Sequence, residues 1–135
     1  MWTNKEHSYG RYMTEKVLWF TSASADGVPS TAPVWYHIES DTTLLVYSKE
    51  PSVRVTNLTE NDRVALSLTT DAWAGDVVVL NGRATIDRTA IPADKNTAFI
   101  KKYQERLDRY GWTPEWFAEN YPTPVRIEIR SIRGR

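Results

Sequence analysis

The sequence predicts a mainly β fold, an antiparallel barrel of six strands with helices on its periphery. Three observations carry that expectation. Apolar and polar residues alternate in short runs along most of the chain, as at Val64, Leu66 and Leu68. Tight-turn residues separate many of the runs, such as Asp26-Gly27 and Glu39-Ser40-Asp41. The longest helical stripe comes late, between residues 92 and 110, so helices join a barrel that is mostly built before them.

Taken in order, residues 1–9 are polar and expected to be poorly ordered at the start. Residues 8–16 are expected to form a short helix, with Ser8 as cap and Tyr12 and Met13 facing inward. A strand over 17–24 turns at Asp26-Gly27 into a returning strand over 30–38. Pro33 cannot donate a ladder hydrogen bond, which predicts an edge, bulge or open side there. Alternation puts Val34, Tyr36 and Ile38 on one face and Pro33, Trp35 and His37 on the other. A strand over 43–48 leads to a short helix over 52–59, whose Val53, Val55 and Thr56 are weak helix formers that need tertiary support. Strands follow over 63–70 and 76–86, with Gly82 marking a bulge or a close backbone approach. Phe99, Tyr103, Leu107 and Tyr110 form the helical stripe, and Gly111 stops it. Thr113-Pro114-Glu115 opens another helix, with a hydroxyl cap, proline in the first turn and an acid at the positive end. Trp116 and Phe117 anchor that helix, and a last strand runs over 125–132.

Composition removes several function classes. Lysine plus arginine equals aspartate plus glutamate at 17 each, which argues against a general nucleic-acid binder. The absence of cysteine excludes disulfides and thiolate zinc sites, and two histidines are too few for a His-rich metal site. No apolar run reaches membrane-spanning length and no signal-peptide pattern opens the chain. The expectation is one soluble, cytoplasmic domain over residues 1–135, with neither nucleic acid nor membrane as partner. Six Trp, seven Tyr and three Phe suit a flat ligand, a filled core or a dimer interface equally.

The stretch Leu44 to Asn57 has the form of an anion cradle. A buried strand ends at Tyr47-Ser48, a turn carries Lys49, and Ser52 opens a short helix bearing Arg54 and Asn57. Free N–H groups and a hydroxyl at a helix start favour an anion, and Lys49 and Arg54 supply the cations that a phosphate needs. An ordinary capped helix with solvated charges is the competing reading of these residues.

The segments 19–36, 44–58, 60–68, 75–86 and the closing YPTPVRIEIRSIRG together resemble the FMN-binding split-barrel proteins, the pyridoxamine-phosphate-oxidase-like superfamily. Within it the chain is most similar to the branch that uses the deazaflavin coenzyme F420. The resemblance implies that Pro33, Val34 and Trp35 line the flavin ring, that Tyr47 and Ser48 meet the phosphate side, and that Ser52, Arg54 and Asn57 form the clamp with help from Lys49. The chain departs from that family's pattern at Val53, where a basic residue is common, and at Thr56, near a position that is often basic, so the clamp the resemblance implies is thin in charge.

The function implied is an oxidoreductase that uses F420 to exchange hydride with a small planar or conjugated substrate, and that works as a homodimer. The alternatives are an FMN-dependent oxidase or reductase, and a carrier or sensor without turnover. No side chain stands out as a catalytic acid or base: His37 has no orienting carboxylate legible in sequence and reads as a solvated strand residue. Trp35 is read as either a ring-stacking or an interface residue, and Trp73 as a structural loop aromatic or a ligand cover. Arg126, Arg130 and Arg133 are surface charges, or one of them reaches an anionic tail across a dimer interface.

Overall fold

The computed structural model describes residues 6–134. The expectation for residues 1–5 lies outside the described residues, whereas residues 6–9 are helical. The elements are α1 (Glu6–Thr14), β1 (Leu18–Ala23), β2 (Pro29–Val34), β3 (His37–Ile38), β4 (Thr43–Ser48), α2 (Val53–Leu58), β5 (Arg63–Leu68), β6 (Val78–Ile86), a 3-10 turn (Ala93–Lys95), α3 (Thr97–Tyr110), α4 (Pro114–Asn120) and β7 (Thr123–Gly134). The strands form one antiparallel sheet in the order β2-β1-β5-β6-β7-β4-β3.

That order dictates the shape. β2 and β3 are the two edges of the sheet, yet only Trp35 and Tyr36 separate them in the chain. Three peptide steps span at most roughly 11 Å, so the sheet must curl until its edges nearly meet. The result is a half-barrel with a slit at residues 35 and 36. The expected single strand over 30–38 is therefore two strands, and the sheet has seven strands, not six. Alternation runs unbroken through the slit, which hid it. Val34 and Tyr36 are buried inside the barrel with Ile38 against them, while Trp35 packs outside.

Side chains close the slit. The Tyr36 N–H donates to the Tyr103 hydroxyl at 2.8 Å, and Lys102 Nζ donates to the Tyr36 carbonyl at 2.9 Å. The Tyr36 hydroxyl donates to the Tyr12 carbonyl at 2.6 Å, tying α1 to the barrel. The backbone groups of Tyr36, stranded between two edges, are thereby satisfied from α3.

Two cores result. Inside the barrel, Leu18, Phe20, Leu44, Leu66, Leu80 and Ile127 are among the buried residues. Outside, Leu45 and Tyr47 of β4 meet Phe99, Tyr103 and Leu107 of α3 and Phe117 of α4. Gly82 is both a bulge and a close approach: the β6–β7 register shifts beside it, and a Cβ there would lie 2.3 Å from the Glu128 carbonyl oxygen. Gly111 closes α3 at φ 71°, and the Thr113 hydroxyl caps α4 by accepting from the Trp116 N–H. The first helix departs from expectation. Ser8 is buried within it and does not precede it, and Met13 is exposed because it sits about 100° around the helix from buried Tyr12.

Candidate functional site

A cavity of about 380 Å³ opens beside the slit, between the outer face of the barrel and the turn joining α3 to α4. Pro33, Val34 and Trp35 form one side, and Tyr47, Lys49, Ser52 and Arg54 form another. Tyr110, Trp112, Phe117 and Tyr121 complete the wall. Seven of the nine binding residues expected from sequence thus line one cavity, although β2, β4 and α2 are separated by turns and belong to different parts of the sheet.

Arg54 is the chemical centre of the cavity. Its NH1 donates to Ser48 Oγ at 2.7 Å, and its guanidinium lies 5.0 Å from the centroid of Phe20. Burial holds its pKa below the ordinary arginine value. No carboxylate pairs with it among the described residues. A largely buried guanidinium with one hydroxyl acceptor retains several donors and an uncompensated charge. Ser52 stands beside it as the cap of α2, accepting from the Val55 N–H at 3.2 Å and keeping its own proton to donate. Lys49 Nζ lies 5.3 Å from the centroid of Tyr121, with no carboxylate partner among the described residues. The six-residue α2 is too short for its dipole to add much, so the side chains carry the positive field.

Two of the expected residues stand behind the wall. Ser48 is fully buried and holds Arg54 in place. Asn57 is buried and donates to Ser22 Oγ at 3.1 Å, anchoring α2 on β1. Tyr47 is fixed by donating to the Ile91 carbonyl at 2.8 Å and accepting from Asn96 at 3.1 Å. Burial raises its pKa and outweighs the hydrogen bond from Asn96, which lowers it.

The ring of Trp35 is already engaged within the chain. It lies parallel to Tyr103 at 4.6 Å and to Phe117 at 5.4 Å, so it reaches the cavity as part of an aromatic stack. The stack continues to the exposed side: Trp112 lies 4.6 Å from both Tyr110 and Trp116. Sequence reading placed Tyr110 in a packing stripe and treated Phe117 as a helix anchor. The signal for a wall was the density of aromatics on either side of Gly111, five between 110 and 121.

His37 and Trp73 do not line the cavity. His37 pairs with Leu45 in the β3–β4 ladder, and burial lowers its pKa. Trp73 is 92 % exposed on the loop before β6. The final-strand arginines also lie elsewhere. Arg126 makes a bidentate pair with Glu39, at 2.8 and 2.9 Å, and contacts Asp87. Glu39 raises its pKa further. Arg130 lies 3.3 Å from Glu128. The spare cations expected there for an anionic tail are spent on neighbouring carboxylates, at least for Arg126 and Arg130.

The family model described as pyridoxamine 5'-phosphate oxidase matches residues 10–128. No curated protein matches the chain. Among solved structures, a conserved hypothetical protein from Mycobacterium tuberculosis superimposes with a TM-score of 0.72 at 19% identity, over 96% of this chain and 83% of that one. An F420 reductase superimposes with a TM-score of 0.64 at 15% identity, over 91% and 94%. The heme storage protein HutZ from Vibrio cholerae superimposes with a TM-score of 0.67 at 12% identity, over 96% and 93%. At such identities these likenesses speak to the fold alone.

Proposed function

The chain belongs to the pyridoxamine 5'-phosphate oxidase family, and from that premise we propose that its aromatic cavity binds a phosphorylated flavin-type cofactor, F420 in preference to FMN, for oxidoreductase chemistry on a small planar substrate. The observation that carries this is Arg54: a mostly buried guanidinium without a carboxylate partner, held by Ser48 beside the free proton of Ser52. A phosphate supplies the missing counter-charge and accepts from both groups. The aromatic wall fits a flat, apolar ring system, so the residues present suit both halves of such a ligand.

A flavin or deazaflavin supplies the hydride transfer when bound. The chain's own residues bind and orient. Arg54, Ser52 and Lys49 hold the phosphate end. Pro33 and Val34 of the edge strand, with Tyr47, Trp112 and Phe117, exclude water around the ring end. The cavity lining contains neither carboxylate nor histidine. Solvent is the proton source in this reading, and no lining side chain is assigned that role.

The same absence favours one second reading, a cofactor carrier or sensor that binds without turnover. The HutZ likeness belongs beside it as fold only, since neither histidine lines the cavity to hold a heme iron. A homodimer is also part of the proposal. Trp19 on β1 and Val53 on α2 are 41% and 62% exposed, apolar surface next to the open edge strand β2. Light scattering at micromolar protein should read a dimer, and a monomer contradicts this part of the proposal.

The test is a titration of purified protein with FMN and with F420, followed by absorption. F420 should bind at least about tenfold more tightly, roughly 1.4 kcal/mol. Lys49 still supports that preference, because it is a second cation at the clamp with no carboxylate partner among the described residues, open to a further negative charge of a longer anionic ligand. Equal affinities, or protein that purifies yellow with stoichiometric FMN, would promote the FMN enzyme. Binding without hydride transfer to any quinone-like acceptor would promote the carrier.

A further inference from the structure

A second cavity, about 590 Å³ in volume, lies on the far side of Tyr110 from the cofactor cavity, between α3 and the segment after α1. Lys16, Lys102, Arg106 and Arg109 line it together with Glu105 and Tyr110. Four cations against one carboxylate is a strong local excess in a chain whose formal net charge is zero.

Lys102, Arg106 and Arg109 follow at intervals of four and three, which brings them onto one stripe of α3. None of the four cations has an ion-pair partner among the described residues. Lys16 and Lys102 crowd one ring, their Nζ atoms 5.8 and 5.3 Å from the Tyr103 centroid. Each has a structural contact, Lys16 to the Lys102 carbonyl at 2.6 Å and Lys102 to the Tyr36 carbonyl at 2.9 Å. An ammonium has three donors, so both retain free ones. Holding the slit closed accounts for one lysine. A helix C-terminus accounts for Arg109, which complements the dipole. Neither explains why Lys16 and Arg106 are added without a counter-charge.

We propose that this cleft is a second anion site, which takes a small ligand bearing a multiply charged phosphate or carboxylate group and is separate from the Arg54 clamp. Arg106 and Arg109 are its exposed gate and Lys102 its half-buried floor. Tyr110, which lines both cavities, places an anion held here next to the aromatic wall. The site therefore fits the acidic group of a substrate whose flat part enters the first cavity, or an anionic effector.

The experiment is isothermal titration of the full chain with inorganic pyrophosphate and, separately, with citrate. Three proteins are compared: wild type, the double variant Arg106→Gln with Arg109→Gln, and Arg54→Ala. The exposed arginines can be replaced without touching the slit. The double variant should lose affinity for at least one probe by about tenfold, or 1.4 kcal/mol. Arg54→Ala should retain the binding assigned to the cleft. Lys102 gives an independent readout: its Cε resonance should titrate near pH 8 without ligand, where burial places its pKa, and at higher pH with the probe bound. Binding of neither probe overturns the proposal. Affinity and stoichiometry that are both unchanged in the double variant, or binding that disappears only with Arg54→Ala, overturn it as well and assign the anion to the clamp. Failure of the cofactor titration above would leave these outcomes unaffected, because the probes carry no ring.

Discussion

The two cores of this molecule use different residues for different ends. The barrel interior is built mainly from leucine, valine and isoleucine with Phe20, Tyr12 and Tyr36, and every member of the central set is less than about a tenth exposed. The outer core, beneath α3 and α4, is largely aromatic and grades outward through Trp35 and Trp112 into the wall of the cavity. Aliphatic side chains interdigitate and leave no room for a guest. Rigid flat rings stack in parallel and leave flat space at the end of the stack. The difference teaches why the site lies outside the barrel: the ring stack starting at Tyr103 ends in open, apolar surface, and the barrel interior does not.

If the division holds, substitutions in the two cores separate stability from binding. The largest effect belongs to the barrel. Leu80→Ala should cost roughly 2–5 kcal/mol of stability, because the site is fully buried and cannot collapse easily. Cofactor affinity measured on the folded fraction should be unchanged; a matching loss of affinity would dissolve the division. Trp112→Ala should do the reverse. It removes a ring that stacks on two neighbours at the cavity wall, and should weaken cofactor binding by about 0.5–1.5 kcal/mol. A larger loss in unfolding free energy than in binding free energy would make Trp112 a core residue.

The smallest effect sharpens the boundary between the cores, where Lys102 pins the slit. Burial, followed by the charge of Lys16, lowers its pKa from 10.5 to about 8. Between those values the unfolded chain holds a proton that the folded chain has released, so stability rises with pH across the window. Below about pH 8 both states are charged and the penalty is constant. The difference in unfolding free energy between wild type and Lys102→Met should therefore shift in favour of wild type as pH rises through the window. A difference that is flat with pH would mean that the ammonium is well solvated.

Local rules made much of this legible. Gly82, Gly111, Ser52 and the Thr113-Pro114 start each obey a constraint set within a few residues, and each was readable in sequence. So was the grouping of Lys49, Ser52 and Arg54 on one cavity wall, because they lie within one turn-helix segment. The slit was not legible, since Pro33 to Ile38 alternates as one strand would; only their partners, Leu18 and Trp19 on one side and Leu44 and Leu45 on the other, reveal two edges. Pro33 did mark the open side. The aromatic wall was missed because Tyr110 continues the spacing of the buried stripe, yet the helix ends there and turns it outward. The pairing of Arg126 with Glu39 joins residues 87 apart, and charge patterning along the chain carries no trace of it.

The central claim is that Arg54 waits for a phosphate. It is tested most directly by calorimetric titration of Arg54→Ala with F420 and FMN, beside Arg126→Ala as a control arginine whose partners are carboxylates of this chain. Arg54→Ala should lose roughly 1.5–3 kcal/mol of cofactor binding, the range for a hydrogen bond to a charged group, while Arg126→Ala binds as wild type does. Wild-type affinity for both cofactors in Arg54→Ala would contradict the claim.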